Sequence, residues 1–369
     1  TAWVEGPASP PITEADILAA TDRVDDALLD PVFIDRDPDS LKALFPLVRS
    51  RCGLNLADYK EATLRRRLAR RMHVLGIETL AGYLDKVRDE PQELDELARE
   101  TLISVTSFWR NPQAFDHLVD QVGRCLARKP VGEPVRVWVA GCASGEEAYS
   151  VAMVWRDALG ERIEAHPLQI FATDLDLEAM QVARRGIYDV DAMASLPERL
   201  RAQHFQPAGT RVEIDKVLRE SVVFSRHDLT RDPPFPRLDM ISCRNVLIYL
   251  KPEAQSRVMR MFHFALRPGG LLMLGQNESA LNHEDLFRPL DREVRLYERR
   301  AGRALAPRPG REALEPLPTP APVSTPASVP ARPASSAPHA AAELELTMLR
   351  QGARLYLPPC VLLDERLRV

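Results

Sequence analysis

From Val135 to Leu274 the chain alternates short apolar runs with amphipathic stretches, and this alternation restricts its possible folds more than any other feature. RVWVAG leads into the helical run AYSVAMVWRDAL, LQIFATD into LEAMQVARRGI, and LDMISCRNV and LLMLGQ follow later. Apolar strands separated by helix-length crossovers build a parallel, doubly wound sheet with helices on its faces. An α/β, Rossmann-like domain is therefore expected over 127–300, closing with EVRLYERR as an edge strand. Inside it, HFQPAGTRVEIDKVLRESVVFSRHDL holds two β-rich runs, read as a small β-hairpin insertion at about 204–226.

The preceding region has helical periodicity instead. Leu64, Leu68, Met72 and Leu75 form one apolar stripe, and Leu94, Leu97 and Leu102 belong to others, predicting a small all-α domain over 41–126. Residues 1–40 read as an acidic helical extension. Ten of the 31 prolines fall between 307 and 338, which makes 301–340 a Pro/Ala-rich linker; 341–369 look like the start of a further domain. Five scattered cysteines without a CxxC pair fit neither a zinc site nor a disulfide framework, so a metal-free, reduced protein is expected. No apolar run is long enough to span a bilayer and no signal peptide is visible, which predicts a cytoplasmic protein without membrane insertion.

VWVAGCASGEEAYS carries the sharpest chemical signal. Gly141 and Gly145 at a strand-to-helix turn let a ligand approach the backbone, and the helix start offers free N–H groups. A dinucleotide site would place pyrophosphate there, but Glu146 and Glu147 would repel it. S-adenosylmethionine carries an ammonium, a sulfonium and no phosphate, and it meets the requirement. Asp174, at the end of the next strand, can then accept both ribose hydroxyls. The alternative is that the two glutamates only complement the helix dipole and Asp174 only caps a loop. Arg244, Asn245 and Tyr249 follow the later MIS strand at its carboxyl end, where they would line the pocket beside the methyl group, or else form an exposed turn capped by Asn245. DPPF, at Asp232 to Phe235, matches a base-holding motif of amide and adenine methyltransferases but precedes its strand, and is read as a loop.

YKEATLRRRLARRM concentrates Arg65, Arg66, Arg67, Arg70 and Arg71 on one helix, with Glu61 as the opposing charge. Arginines on adjacent turns repel, so an acidic partner is implied. Nucleic acid would serve, but 49 basic against 53 acidic side chains and the lack of interleaved aromatics favour a negatively charged protein helix over it. A solvated face is the third reading.

Taken together, TLRRRLARRM, TLISVTSFWRNPQAF, RVWVAGCASGEEAYSVA, FATDLDLEAM with ARRGIY, and MISCRNVLIYL with PGGLLMLG resemble the CheR family of chemotaxis protein-glutamate O-methyltransferases over about Leu41 to Arg299. The resemblance implies an S-adenosylmethionine-dependent methyltransferase fold behind a helical domain that faces the cytoplasmic helical region of a chemoreceptor through Arg65, Arg66, Arg67, Arg70 and Arg71. By motif it implies cofactor contacts from Ser104, Thr106, Arg110, Gly141, Glu146, Asp174, Asp228, Leu229, Arg244 and Asn245, with Tyr249 and Arg244 as catalytic residues. Ser104 stands where the family usually has asparagine, and Trp109 where it has phenylalanine. The resemblance further implies transfer to glutamate carboxylates and fusion to a methylesterase upstream and a PAS-like domain downstream. PAGTRVEIDKVL is shorter than the insertion of members that dock on a receptor's tether peptide, so action without a tether is expected, and the fragment is expected to be a monomer. A module that senses the cofactor without turnover, and a nucleic-acid methyltransferase, are the rival readings.

Overall fold

The computed structural model describes residues 37–302. The acidic extension up to residue 36, the linker from 303 and the PAS-like start lie outside the described residues. The helical domain consists of α1 (Pro38–Cys52), α2 (Glu61–Val74), α3 (Leu80–Asp89) and α4 (Glu93–Thr101). Asp37 caps α1 through Ser40 N at 3.0 Å, and Gly53 ends it at φ 72°. Thr79 caps α3 by accepting from Gly82 N. The predicted stripe is the core: Leu64, Leu68 and Met72 bury against Leu44 and Val48 of α1, Tyr83 and Val87 of α3, and Leu94 and Leu97 of α4. Leu75 and Leu102 pack at its margin.

An irregular strap leads to α5 (Pro112–Ala127) and then to a seven-stranded sheet ordered β6-β2-β1-β7-β8-β10-β9. Its strands are β1 (Val135–Ala140), β2 (Leu168–Asp174), β6 (Val222–Arg226), β7 (Leu238–Cys243), β8 (Leu266–Leu274), β9 (Phe287–Asp291) and β10 (Leu296–Arg299). The five strands from β6 to β8 run parallel; β10 and β9 close one edge antiparallel. Side-chain alternation splits the core. Val137 and Val139 face α5 and α6 (Glu146–Leu159), while Trp138 and Ala140 face α10 (Pro252–Ala265). The order reverses direction on either side of β1, so the crevice at the carboxyl ends of β1, β2 and β7 is where a ligand is expected.

The insertion differs from the expected 204–226 hairpin. It is a three-stranded antiparallel sheet, β3 (Ile187–Asp189), β5 (Arg211–Ile214) and β4 (Phe205–Ala208). SVVFSR, taken for a hairpin strand, is β6 at the edge of the main sheet, paired parallel with β2 from Ile170↔Val222 to Asp174↔Arg226. A β-rich run pairs with the strand its crossover delivers it to, which composition does not show. Three further helices complete the domain: α7 (Leu177–Arg185), α8 (Glu198–His204) and α9 (Lys216–Glu220). Among the described residues no helix is long and apolar enough to cross a membrane.

Candidate functional site

The crevice is built from six chain segments that converge where the strands end. After β1 the chain turns at Gly141 (φ 76°), whose N–H and that of Cys142 donate to Thr173 O at 2.8 and 3.0 Å. A Cβ at Gly141 would lie 2.3 Å from Val246 Cγ2, so only glycine lets the two ligand-facing turns approach. Ala143 N donates to Asp174 Oδ2 at 2.8 Å, and Asp176 N to Oδ1 at 2.9 Å. Asp174 thus stands oriented on the wall, each oxygen keeping acceptor capacity for a hydroxyl. Burial raises its pKa above the usual aspartate value, with the backbone donors opposing.

The two glutamates of the glycine turn separate. Glu147 is on the crevice wall, its Oε1 accepting from Ser242 Oγ at 2.7 Å and its Oε2 facing Arg244 Nη1 at 3.4 Å. Glu146, expected to contact the cofactor, is not on that wall; its Oε2 accepts from Ser144 Oγ at 2.7 Å. Adjacent helix positions point about 100° apart, and here the second one faces the crevice.

The strap between the domains forms one wall of the crevice. Ser104, Thr106 and Arg110 line it. Ser104 Oγ donates to Asp176 Oδ2 at 2.6 Å, pinning the strap to the carboxylate whose other oxygen caps α7. Trp109 and Asn111 both adopt positive φ, at 52° and 62°. That strained bend is held by Trp109 N donating to Ser150 Oγ at 3.0 Å and by Trp109 stacked on Phe115 with centroids 4.5 Å apart.

Past β6, Asp228 and Leu229 form the next wall. Asp228 Oδ1 accepts from Thr230 N and Oγ1, both at 2.8 Å, and Asp228 N donates to Asp232 Oδ2 at 2.7 Å. DPPF is therefore a supporting loop, as read from its position. Its aspartate fixes the Asp228 turn, and its Phe235 stacks on Phe171 at 4.5 Å and meets Trp138 edge-on.

Past β7, Asn245 and Tyr249 face the crevice. Arg244 also borders it, but its guanidinium is occupied. It donates to Arg110 O at 2.7 Å and Asn111 Oδ1 at 2.8 Å, approaches Glu147 and lies over the Phe115 ring. A buried arginine committed to strap, helix and sheet positions those elements, whereas the resemblance had implied a catalytic residue. Tyr59, from the helical domain, also lines the crevice; the sequence reading did not reach it, and of the two glutamates it placed at the glycine turn it took Glu146, not Glu147, for the cofactor contact. It did not reach Glu278 either. The rule that ligands gather at strand carboxyl ends would have drawn attention to Glu278, four residues past β8.

The basic helix is only partly available to a partner. Arg71 forms a two-pronged pair with Glu93 of α4, which also accepts from Tyr83 Oη at 2.9 Å. Arg70 meets Glu100 at 3.1 Å, Arg67 faces the same carboxylate at 3.9 Å, and Arg65 pairs with Glu61. The acid implied by the crowded arginines is thus largely internal, and Arg71 is a structural residue. Burial raises the Tyr249 pKa, and the charges of Arg67, Arg110 and Arg66 oppose that rise only in part.

Three carboxylates on one crevice, Glu147, Asp174 and Asp228, suit a cationic donor with a ribose and repel a pyrophosphate, so the residues present fit S-adenosylmethionine. Comparison with known proteins agrees. Residues 104–296 match the family described as CheR methyltransferase, SAM binding domain, and residues 39–102 match CheR methyltransferase, all-alpha domain. An uncharacterized 104.1 kDa protein of Rhodobacter capsulatus is 41% identical over 69% of the chain, which spans 28% of that protein's length. The chemotaxis protein methyltransferase of Listeria monocytogenes is 36% identical over 65% of this chain and 89% of its own. That of Escherichia coli is 32% identical over 65% and 84%.

Proposed function

The chain belongs to the CheR methyltransferase family, and from that premise we propose that it moves a methyl group from S-adenosylmethionine to glutamate side chains of a chemoreceptor's cytoplasmic helices, forming glutamyl methyl esters. The observation that carries the substrate assignment is Arg110, which lines the crevice together with Tyr249. A strap cation beside that tyrosine suits an incoming carboxylate and not a nucleic-acid base.

The donor supplies an electrophilic methyl on its sulfonium sulfur. Asp174, Asp228, Leu229, Thr106, Gly141 and Asn245 line the space that would hold it, with Glu147 adding negative charge to the wall. A glutamate with a reference pKa of about 4.3 arrives ionised at neutral pH, so no general base is needed. The protein's task is alignment, for which effective molarities of about 10⁵–10⁸ M indicate the available gain. Arg110 orients the carboxylate, and Tyr249 sets the approach. The reading places the protein in the cytoplasm, acting as a monomer on the receptor's helical region, without nucleic acid, metal or tether peptide.

The test is incubation with methyl-labelled S-adenosylmethionine and a receptor cytoplasmic fragment. Label that leaves as methanol on mild alkali is expected, because esters hydrolyse; alkali-stable label, or label on nucleic acid alone, overturns the assignment.

A further inference from the structure

The turn that brings Asn245 and Tyr249 into the crevice has an unusual support. Asn245 is left-handed, φ 60°, and the N–H groups of the next three residues converge with its own on one point beneath the turn. Glu278 occupies that point. Its Oε1 accepts from Val246, Leu247 and Ile248 N–H at 2.8, 2.7 and 3.3 Å, and its Oε2 from Asn245 and Gly275 at 3.0 and 2.8 Å. The residue is 4% exposed. A buried carboxylate is costly without compensation, and here five amides supply it. Gly275 is part of the device: a Cβ there would stand 2.8 Å from Asn245 N and 2.9 Å from Glu278 Oε2.

The other end of the same turn is tied to the helical domain. Lys60 N donates to Tyr249 O at 2.9 Å, Lys251 N to Asp58 O at 2.8 Å, and Tyr59 bridges Leu250. Between the two anchors lie both residues that face the reacting end. The sheet pairing of β1, β7 and β8 uses none of these amides, so the strands stand without the turn, and the turn's shape is what Glu278 determines.

We propose that Glu278 is a positioning residue for methyl transfer, its carboxylate gathering the amides of residues 245–248 so that Asn245 and Tyr249 hold the geometry the reaction needs. The inference rests on the reading of this crevice as the methyl-transfer site. Glu278→Gln keeps the shape but sets an NH₂ against N–H donors, so the turn opens while the strands remain.

The experiment compares wild type, Glu278→Gln and a control in the core behind α10, Val258→Ala, at a temperature where all three are folded. Glu278→Gln is expected to lower kcat at least tenfold on a receptor fragment and to weaken S-adenosylhomocysteine several-fold, with KM for the fragment changed less than twofold. Val258→Ala, with a similar loss of Tm, is expected to keep kcat within twofold. Wild-type kcat and cofactor affinity in Glu278→Gln, or an equal kcat loss in the control, overturns the proposal. Should the glutamine variant not fold, amide exchange on the wild-type protein decides: residues 245–248 must be strongly protected, and exchange near the free-peptide rate refutes the anchoring. Wild-type turnover tests the substrate assignment by itself; the cofactor affinity and exchange readouts test Glu278 whatever the substrate proves to be.

Discussion

At the level of single residues, the site divides into positions a sequence reader can reach and positions that depend on which way a helix or turn happens to face. Asp174 and Gly141 belong to the first kind, since strand end and glycine turn fix their tasks. Asp174→Asn is expected to weaken S-adenosylhomocysteine about 10- to 100-fold, the worth of a charge-assisted hydrogen bond. The pH dependence has a definite sign. Burial raises the Asp174 pKa, and ribose hydroxyls favour the ionised form, so wild-type affinity falls as pH drops from neutral through that raised value, one proton being taken up on release. Calorimetry in buffers of different ionisation enthalpy measures that proton; it should vanish in Asp174→Asn. Gly141→Ala is expected to cost about 2 kcal/mol or more in denaturant unfolding, because it combines a left-handed φ with a methyl inside Val246, and to abolish cofactor binding. Glu147 and Glu278 were not legible in the same way. Adjacent glutamates at a helix start are equivalent until the helix's rotation is known, and an acid beyond the last parallel strand shows nothing of the amides it gathers.

Among elements, α2 shows how a charge pattern conceals two jobs. Five arginines on one helix looked like a single docking stripe, yet α4 supplies Glu93 and Glu100 to the inner ones, a pairing between elements that spacing within α2 does not show. The division makes opposite predictions for two substitutions. Glu93→Ala leaves Arg71 and the Tyr83 hydroxyl without their acceptor, and is expected to cost about 2 kcal/mol in urea, below the roughly 3–5 of a fully buried pair because Arg71 keeps a fifth of its side chain in water. Turnover per folded molecule should stay unchanged. Arg66→Ala should raise KM for an acidic receptor fragment several-fold, an effect that shrinks with added salt. If both variants moved the same observable, the separation of the helix into structural and docking arginines would be wrong. The parallel strands and the Leu64–Leu68–Met72 stripe were legible because burial imposes their periods directly; the boundaries of the β insertion were not, since β6 is placed by its crossover and its partner β2.

For the molecule as a whole, the consequence of this architecture is that the cofactor site is also the joint. Tyr59 and the strap from Thr101 to Thr106 form one side of the crevice, and the strands form the other. The sides are also fastened outside it, by Arg226 donating to Cys52 O at 2.9 Å, Arg99 paired with Glu178 at 3.0 Å and Arg257 paired with Asp58. A ligand that touches both sides must stabilise their junction, because it binds the closed arrangement and not the separated one. At about 100 times its Kd it adds roughly 2.7 kcal/mol, which for a folded unit of this size is a rise in Tm of about 5–10 °C. The rise should come with one sharper transition, not with one domain melting unchanged while the other shifts. Limited proteolysis gives the local counterpart. Cleavage in the strap, at the bond after Arg110 for trypsin, should slow in proportion to occupancy. The Asp174→Asn variant should need a correspondingly higher ligand concentration for the same protection. Protection confined to the sheet domain, with strap cleavage unaffected at saturation, would show that the two sides do not close on the ligand together.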